Sequence, residues 1–184
     1  NLLNFLDSND VLILNETKVF PCRLLGQKKT GGKVEVFLVK KIEANIWECL
    51  VGGHGLKIGD KIYFAKKLLG EIISEQGKIK QVKFNFVNQD FLKIVELIGH
   101  TPLPPYIKTE DGKQIKKDYQ TVFAKSSGSV AAPTAGLHFT PALLKKIEAK
   151  GIQILKVTLH VGLGTFAPVE VEDITKHQIH SEWA

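Results

Sequence analysis

The sequence predicts an α/β protein that also carries a small antiparallel β-barrel, and three observations lead there. Between residues 18 and 88, short runs alternating apolar and polar side chains follow one another, separated by glycines and with little helical spacing. Residues 140–161 read as a helix followed by a strand. An apolar run at residues 11–14 reads as a buried strand ahead of both.

The alternating region divides into six strands. Residues 20–25 come first, then Val34, Val36 and Leu38 after the Gly31-Gly32 turn, and residues 46–51. After the Gly52 to Gly55 loop, residues 61–65 and 68–73 follow, and Val82, Phe84 and Phe86 share one face after Gly77. A helix is predicted over residues 88–98, with Phe91, Leu92, Val95 and Ile98 on one stripe and Gly99 closing it. Pro102, Pro104 and Pro105 then forbid helix and hold an extended segment around Tyr106. Residues 108–118 read as charged loop, and residues 119–124 return to β character. The next helix is set by punctuation: Thr140 as N-cap, Pro141 at the first position and Gly151 after the last turn. In the strand over residues 152–161, Ile152, Ile154 and Lys156 face one way and Leu155, Val157 and Leu159 the other. Residues 171–180 read as a last short helix.

The chain has 184 residues, enough to bury one good core or two small ones. With 43% apolar residues and no run approaching ~20 of them, nothing spans a membrane as a helix. Cys22 and Cys49 are too few and too far apart for a disulfide framework or zinc site, so they read as half-buried strand residues in a reducing cytosol. The net charge of +6 allows a polyanionic partner, although the lysines are scattered along the chain. Arg23 is the one arginine among 25 basic residues, and its planar fork suits a carboxylate or phosphate. The chain lacks methionine and starts at Asn1, which reads as a piece of a longer protein.

The chemistry concentrates in two glycine- and histidine-bearing loops, one ending in His138-Phe139-Thr140 and one running from His160 to Thr165. Residues 162–167 spell G-x-G-x-x-A, but Pro168 forbids the helix that a dinucleotide loop must open, so the loop reads as bare backbone that a ligand approaches closely. His177, His180 and Glu182 lack a further ligand at a familiar metal spacing, and no metal is expected. Ser126, Ser127, Ser129 and Thr134 lack a G-x-S-x-G context and read as donors to a phosphate, carboxylate or ribose. The polar break at Asn15 to Lys18 after a buried strand marks a ligand edge.

The strings Val130-Ala131-Ala132-Pro133-Thr134-Ala135-Gly136-Leu137-His138-Phe139-Thr140 and Thr158-Leu159-His160-Val161-Gly162-Leu163-Gly164-Thr165-Phe166 resemble the S-adenosylmethionine:tRNA ribosyltransferase-isomerase family of the queuosine pathway. Leu14-Asn15-Glu16-Thr17-Lys18-Val19, residues 98–107 and His180-Ser181-Glu182-Trp183 agree in the same order. The resemblance implies a barrel, residues 18–88, inserted in a discontinuous α/β main domain made of residues 1–17 and 89–184 and truncated at both ends. It implies a cytoplasmic, monomeric transferase with no prosthetic group and no membrane attachment. Such an enzyme moves and isomerises the ribosyl part of S-adenosylmethionine onto 7-aminomethyl-7-deazaguanine in a tRNA anticodon, leaving epoxyqueuosine, adenine and methionine.

That chemistry needs a base near carbons acidified by a sulfonium, a donor for departing adenine, and exclusion of water. On the resemblance, His138, His160 and His180 are the proton-handling candidates, with Glu182 facing positive charge. Thr134, Gly136, Gly162, Gly164 and Thr165 would bind S-adenosylmethionine, and Asn15, Lys18 and Arg23 would hold tRNA or the carboxylate of that co-substrate. Two rival readings are a non-catalytic RNA-binding barrel and, more distantly, an NAD-dependent oxidoreductase.

Overall fold

The computed structural model describes residues 2–103, 107, 112–166, 171–176 and 182, and it divides into two compact units. Residues Pro21–Pro102 form one; Asn1–Phe20 and Leu103–Ala184 form the other. The sequence pattern drew these edges at 17 and 88. Two packing relations displace them: residues 17–19 pair with a strand of the second unit, and the helix after residue 88 packs on the barrel.

The second unit opens with β1 (Val11–Asn15) and β2 (Thr17–Val19). The barrel follows with β3 (Arg23–Lys28), β4 (Lys33–Lys41), β5 (Ile46–Gly52), β6 (Lys61–Tyr63), β7 (Leu69–Gln76) and β8 (Ile79–Phe84), then α1 (Asn88–Ile98). The chain returns to the second unit with α2 (Lys113–Asp118), β9 (Ser126–Ser129), α3 (Pro141–Ala149) and β10 (Gln153–Val157).

The six predicted strands close into a barrel of order β3-β4-β5-β8-β7-β6, sealed where Gln27 of β3 pairs with Tyr63 of β6. Period-2 alternation puts Leu24, Val36, Leu38, Cys49, Ile62, Ile72 and Val82 inside, all without solvent exposure. Both cysteines are free and buried. α1 plugs against this core through Phe91, whose ring lies 4.6 Å from Phe84 and 5.5 Å from Trp47 between centroids. Gly99 then returns the chain to the barrel entrance, where a β-carbon would fall 2.0 Å from the Pro21 carbonyl oxygen, and Arg23 bridges His100.

In the second unit, β1 pairs parallel with β10 and β2 pairs parallel with β9. α3 forms as predicted: Thr140 Oγ1 accepts the Leu143 amide at 3.1 Å, and Gly151 takes φ +82°. Three elements differ from expectation. The run at residues 11–14 is buried on one face only, since Leu14 is covered while Val11 and Ile13 point outward. Residues 113–118 form α2 rather than loop, and the β character expected at 119–124 appears instead at Ser126–Ser129. The predicted strand over 152–161 stops at Val157, because Thr158 to His160 are drawn aside by bonds to β1 and β2. Of the predicted last helix, residues 174–176 form a single 3-10 turn, and His177 to His180 lie outside the described residues.

Candidate functional site

Asn15 ends β1 and Thr17 begins β2, and between them they position the loop that follows β10. The Asn15 side chain behaves as a peptide surrogate: its oxygen accepts the amides of Thr17 and Leu159, each at 3.1 Å, and its nitrogen donates to the Leu159 carbonyl at 2.8 Å. Leu159 is thereby tied to the β1 end, which brings the next residue, His160, beside Thr17. The buried Thr17 hydroxyl lies 2.8 Å from His160 Nδ1. On its other side the imidazole lies against Gly128 of β9, where a β-carbon would come within 2.6–2.8 Å of three ring atoms. Only glycine lets the ring sit there.

The same strand end fastens the residues that flank this ring. Ser129 Oγ accepts the Val161 amide at 2.8 Å and donates to the Ala131 carbonyl at 2.8 Å. The Val130 amide bonds the Val161 carbonyl at 2.9 Å. The start of the second loop is thus hydrogen-bonded to the strand leading into the first. Burial pushes the His160 imidazole below its ordinary value of 6.5. A neutral ring near neutral pH, oriented through Nδ1, is equipped to take up a proton.

The first loop turns through a 3-10 segment, Thr134–His138, leaving Thr134 and His138 exposed. Gly136 packs on Thr121 and Phe123, and the Phe123 ring meets Phe139 edge-on at 6.1 Å. The buried Thr121 hydroxyl has no hydrogen-bond partner among the described residues, and the methyl carbon of the same side chain is the atom that meets Gly136. In the second loop the Gly162 amide donates to Glu182 Oε2 at 2.5 Å and the Thr165 hydroxyl to Oε1 at 3.3 Å, across the 3-10 turn Leu163–Phe166 that includes Gly164. This loop therefore presents N–H and O–H donors to a carboxylate, here that of Glu182.

Of the residues singled out by sequence, the structure joins Asn15 and His160 in one network, and Gly162, Thr165 and Glu182 in another. Lys18 is exposed on β2. Arg23 belongs to the barrel unit, where its guanidinium pairs with the Glu35 carboxylate at 2.7 Å. His180 lies outside the described residues. Three contributors escaped the sequence reading. Thr17 stood within the polar break after β1 but was not assigned to His160. Gln120 holds β2 by accepting the Val19 amide and donating to its carbonyl, and Thr121 supplies the unpartnered hydroxyl; both sit in the stretch expected as strand, where no motif marks them.

A profile described as "Queuosine biosynthesis protein" matches residues 1–184. An S-adenosylmethionine:tRNA ribosyltransferase-isomerase from a Sulfurihydrogenibium species is 49% identical over 185 residues, covering 100% of this chain and 54% of the relative. One from Cytophaga hutchinsonii is 45% identical over 190 residues, covering 99% of this chain and 55% of the relative. The chain therefore spans about half the length of these curated relatives. A solved structure, an S-adenosylmethionine tRNA ribosyltransferase from Thermotoga maritima, is 26% identical with a TM-score of 0.38, over 87% of this chain and 44% of that one.

Proposed function

We propose, from the premise that this chain belongs to the queuosine biosynthesis protein family, that it forms part of a tRNA-modifying transferase. The reaction transfers and isomerises the ribosyl moiety of S-adenosylmethionine onto 7-aminomethyl-7-deazaguanine in a tRNA anticodon, giving epoxyqueuosine, adenine and methionine. No prosthetic group takes part in this scheme, and the protein acts as a cytoplasmic monomer.

The observation that carries the reading is the Thr17–His160–Gly128 arrangement. Carbons next to a sulfonium are acidic, and an imidazole kept neutral by burial is a base suited to them at neutral pH. Thr17 orients the ring through Nδ1, and the imidazole so held exchanges the proton. Asn15 acts as a positioning residue, holding Leu159 and hence the ring. His138 and His180 serve departing adenine and later proton transfers, with Glu182 balancing the positive charge of the co-substrate. Thr134, Gly136, Gly162, Gly164 and Thr165 line the S-adenosylmethionine site; the Gly136 amide is bonded to the Pro133 carbonyl and the Gly162 amide to Glu182, so these two glycines serve by close backbone approach. Lys18 and Arg23 contact tRNA or the carboxylate of the co-substrate.

The test is to incubate the complete protein with precursor-bearing tRNA and S-adenosylmethionine and to look for free adenine by chromatography. Adenine release that requires both substrates supports the proposal. Salt-sensitive tRNA binding with no adenine and no response to S-adenosylmethionine would replace it with a non-catalytic RNA-binding protein.

A further inference from the structure

The positive charge of this chain is partitioned between its two units. Residues 21–102 carry 14 Lys and Arg against 8 Asp and Glu, whereas the rest of the chain carries 11 of each, so the net +6 resides entirely on the barrel unit. The barrel wall also holds the larger of two adjoining clefts, of about 780 Å³, lined in part by Leu25, Gln27, Lys33, Glu35, Tyr63 and Phe64. The strand register explains its surface. Tyr63 of β6 pairs with Gln27 of β3, which pairs with Lys33 of β4, so an aromatic ring, an amide and an ammonium stand in one outward row across three strands. With neighbouring strands ~4.8 Å apart, that row spans about 10 Å. The next row on this face brings Leu25 against Glu35 and Glu35 against Gly52, whose missing side chain keeps the floor open.

Two further features extend the cleft. A second one, of about 430 Å³, shares Glu35 and Gly52 with the first and continues toward Lys78 and Lys80. At the other end, Ala65 lines the first cleft and is followed by Lys66 and Lys67, both exposed and both in the left-handed backbone region, with φ of 56° and 59°. Non-glycine residues take that conformation at a steric cost, and two lysines in succession do so beside this opening. The carboxylate on the path, Glu35, is offset by Arg23 at 2.7 Å.

We infer that this barrel wall binds a single-stranded segment of the tRNA, with one unstacked base on the Tyr63 ring and flanking phosphates on Lys33 and Lys66. This assignment rests on tRNA being the substrate. The chemistry fits that occupant: an exposed aromatic ring offers a stacking face to any base, Gln27 beside it can hydrogen-bond a base edge, and cations at both ends match a polyanion. The volume lies within the ~300–1,000 Å³ range of ligand clefts.

The experiment measures binding of fluorescently labelled, unmodified tRNA transcript to the complete protein without S-adenosylmethionine, across a salt series. Tyr63→Ala weakens binding about 5- to 100-fold while Tyr63→Phe retains it, because stacking needs the ring and not the hydroxyl. Lys33→Gln and Lys66→Gln each weaken binding and reduce the slope of log Kd against log salt by about 0.7–1. Lys40→Gln, seven residues along β4 from Lys33 and thus about 23 Å away, leaves binding within twofold. The inference is overturned if folded Tyr63→Ala and Lys33→Gln bind like wild type, if Lys40→Gln costs as much as Lys33→Gln, or if poly-glutamate competes as well as a short oligoribonucleotide. Adenine release is scored separately. Tyr63-dependent tRNA binding without adenine keeps the cleft and removes the catalytic reading, and adenine release with Tyr63-independent binding does the reverse.

Discussion

The Thr17 hydroxyl oxygen lies 2.8 Å from Nδ1 of His160, although 143 residues separate them in sequence. The contact exists because Asn15 fastens Leu159 to the end of β1 and because Gly128 leaves room for the ring. Thr17→Val keeps the shape of the side chain and removes the oxygen. It is expected to lower stability by about 0.5–1.5 kcal/mol and kcat/KM for adenine release about tenfold, equivalent to ~1.4 kcal/mol. Chemical denaturation and steady-state kinetics check the two effects, and an unchanged kcat/KM removes Thr17 from the mechanism.

The pH dependence follows from burial of the same ring. The unfolded chain binds the His160 proton more readily than the folded one, so the associated stability is present above about 6.5 and is lost as pH falls through the lower folded value. The acid limb of kcat/KM should accordingly lie below 6.5 in the wild type. Melting curves and rates between pH 5 and 8, compared with His160→Gln, measure both. A variant that shows the same acid limb would assign it to another group.

Gly128→Ala introduces a methyl group 2.6 Å from Cε1 of His160. The half-buried ring can swing aside, so activity should fall by tenfold or more while stability changes by only about 1 kcal/mol. Equal losses in an assay of folded fraction and in rate would mark Gly128 as a packing residue only.

Gly99→Ala tests the barrel entrance, where the new carbon would fall 2.0 Å from the Pro21 carbonyl and 2.6 Å from that of Val95. Both neighbours are backbone and cannot rotate away. A destabilisation of about 1–3 kcal/mol or more is expected, shifting Tm by roughly 4–8 °C per kcal/mol for a unit of this size. Calorimetry of the variant reads this directly.

The buried hydroxyl of Thr121 costs the free protein about 1–3 kcal/mol if it stays unpaired. Thr121→Val is expected to raise stability by about 1 kcal/mol, since the Thr121 atom nearest Gly136 is the methyl carbon, which valine keeps. Chemical denaturation decides. Unchanged or lower stability would mean that the hydroxyl finds a partner.

The elements whose residues meet near neighbours are legible in the amino-acid order alone. The barrel strands were readable because alternate side chains point to opposite faces, α1 because Phe91 and Val95 recur at helical spacing, and α3 because Thr140, Pro141 and Gly151 punctuate it. The motif strings around His138 and His160 also sufficed to indicate the family. Tertiary structure decided what depends on distant partners. Ser126–Ser129 has no β-forming composition and is a strand only because β2, more than 100 residues earlier, pairs with it; likewise the strand after Ile152 ends early because Asn15 and Thr17 capture Leu159 and His160. The charge excess lies in one contiguous stretch, residues 21–102, and can be counted there; folding adds the row that sets Tyr63, Gln27 and Lys33 side by side, because cross-strand neighbours follow from register and not from distance along the chain.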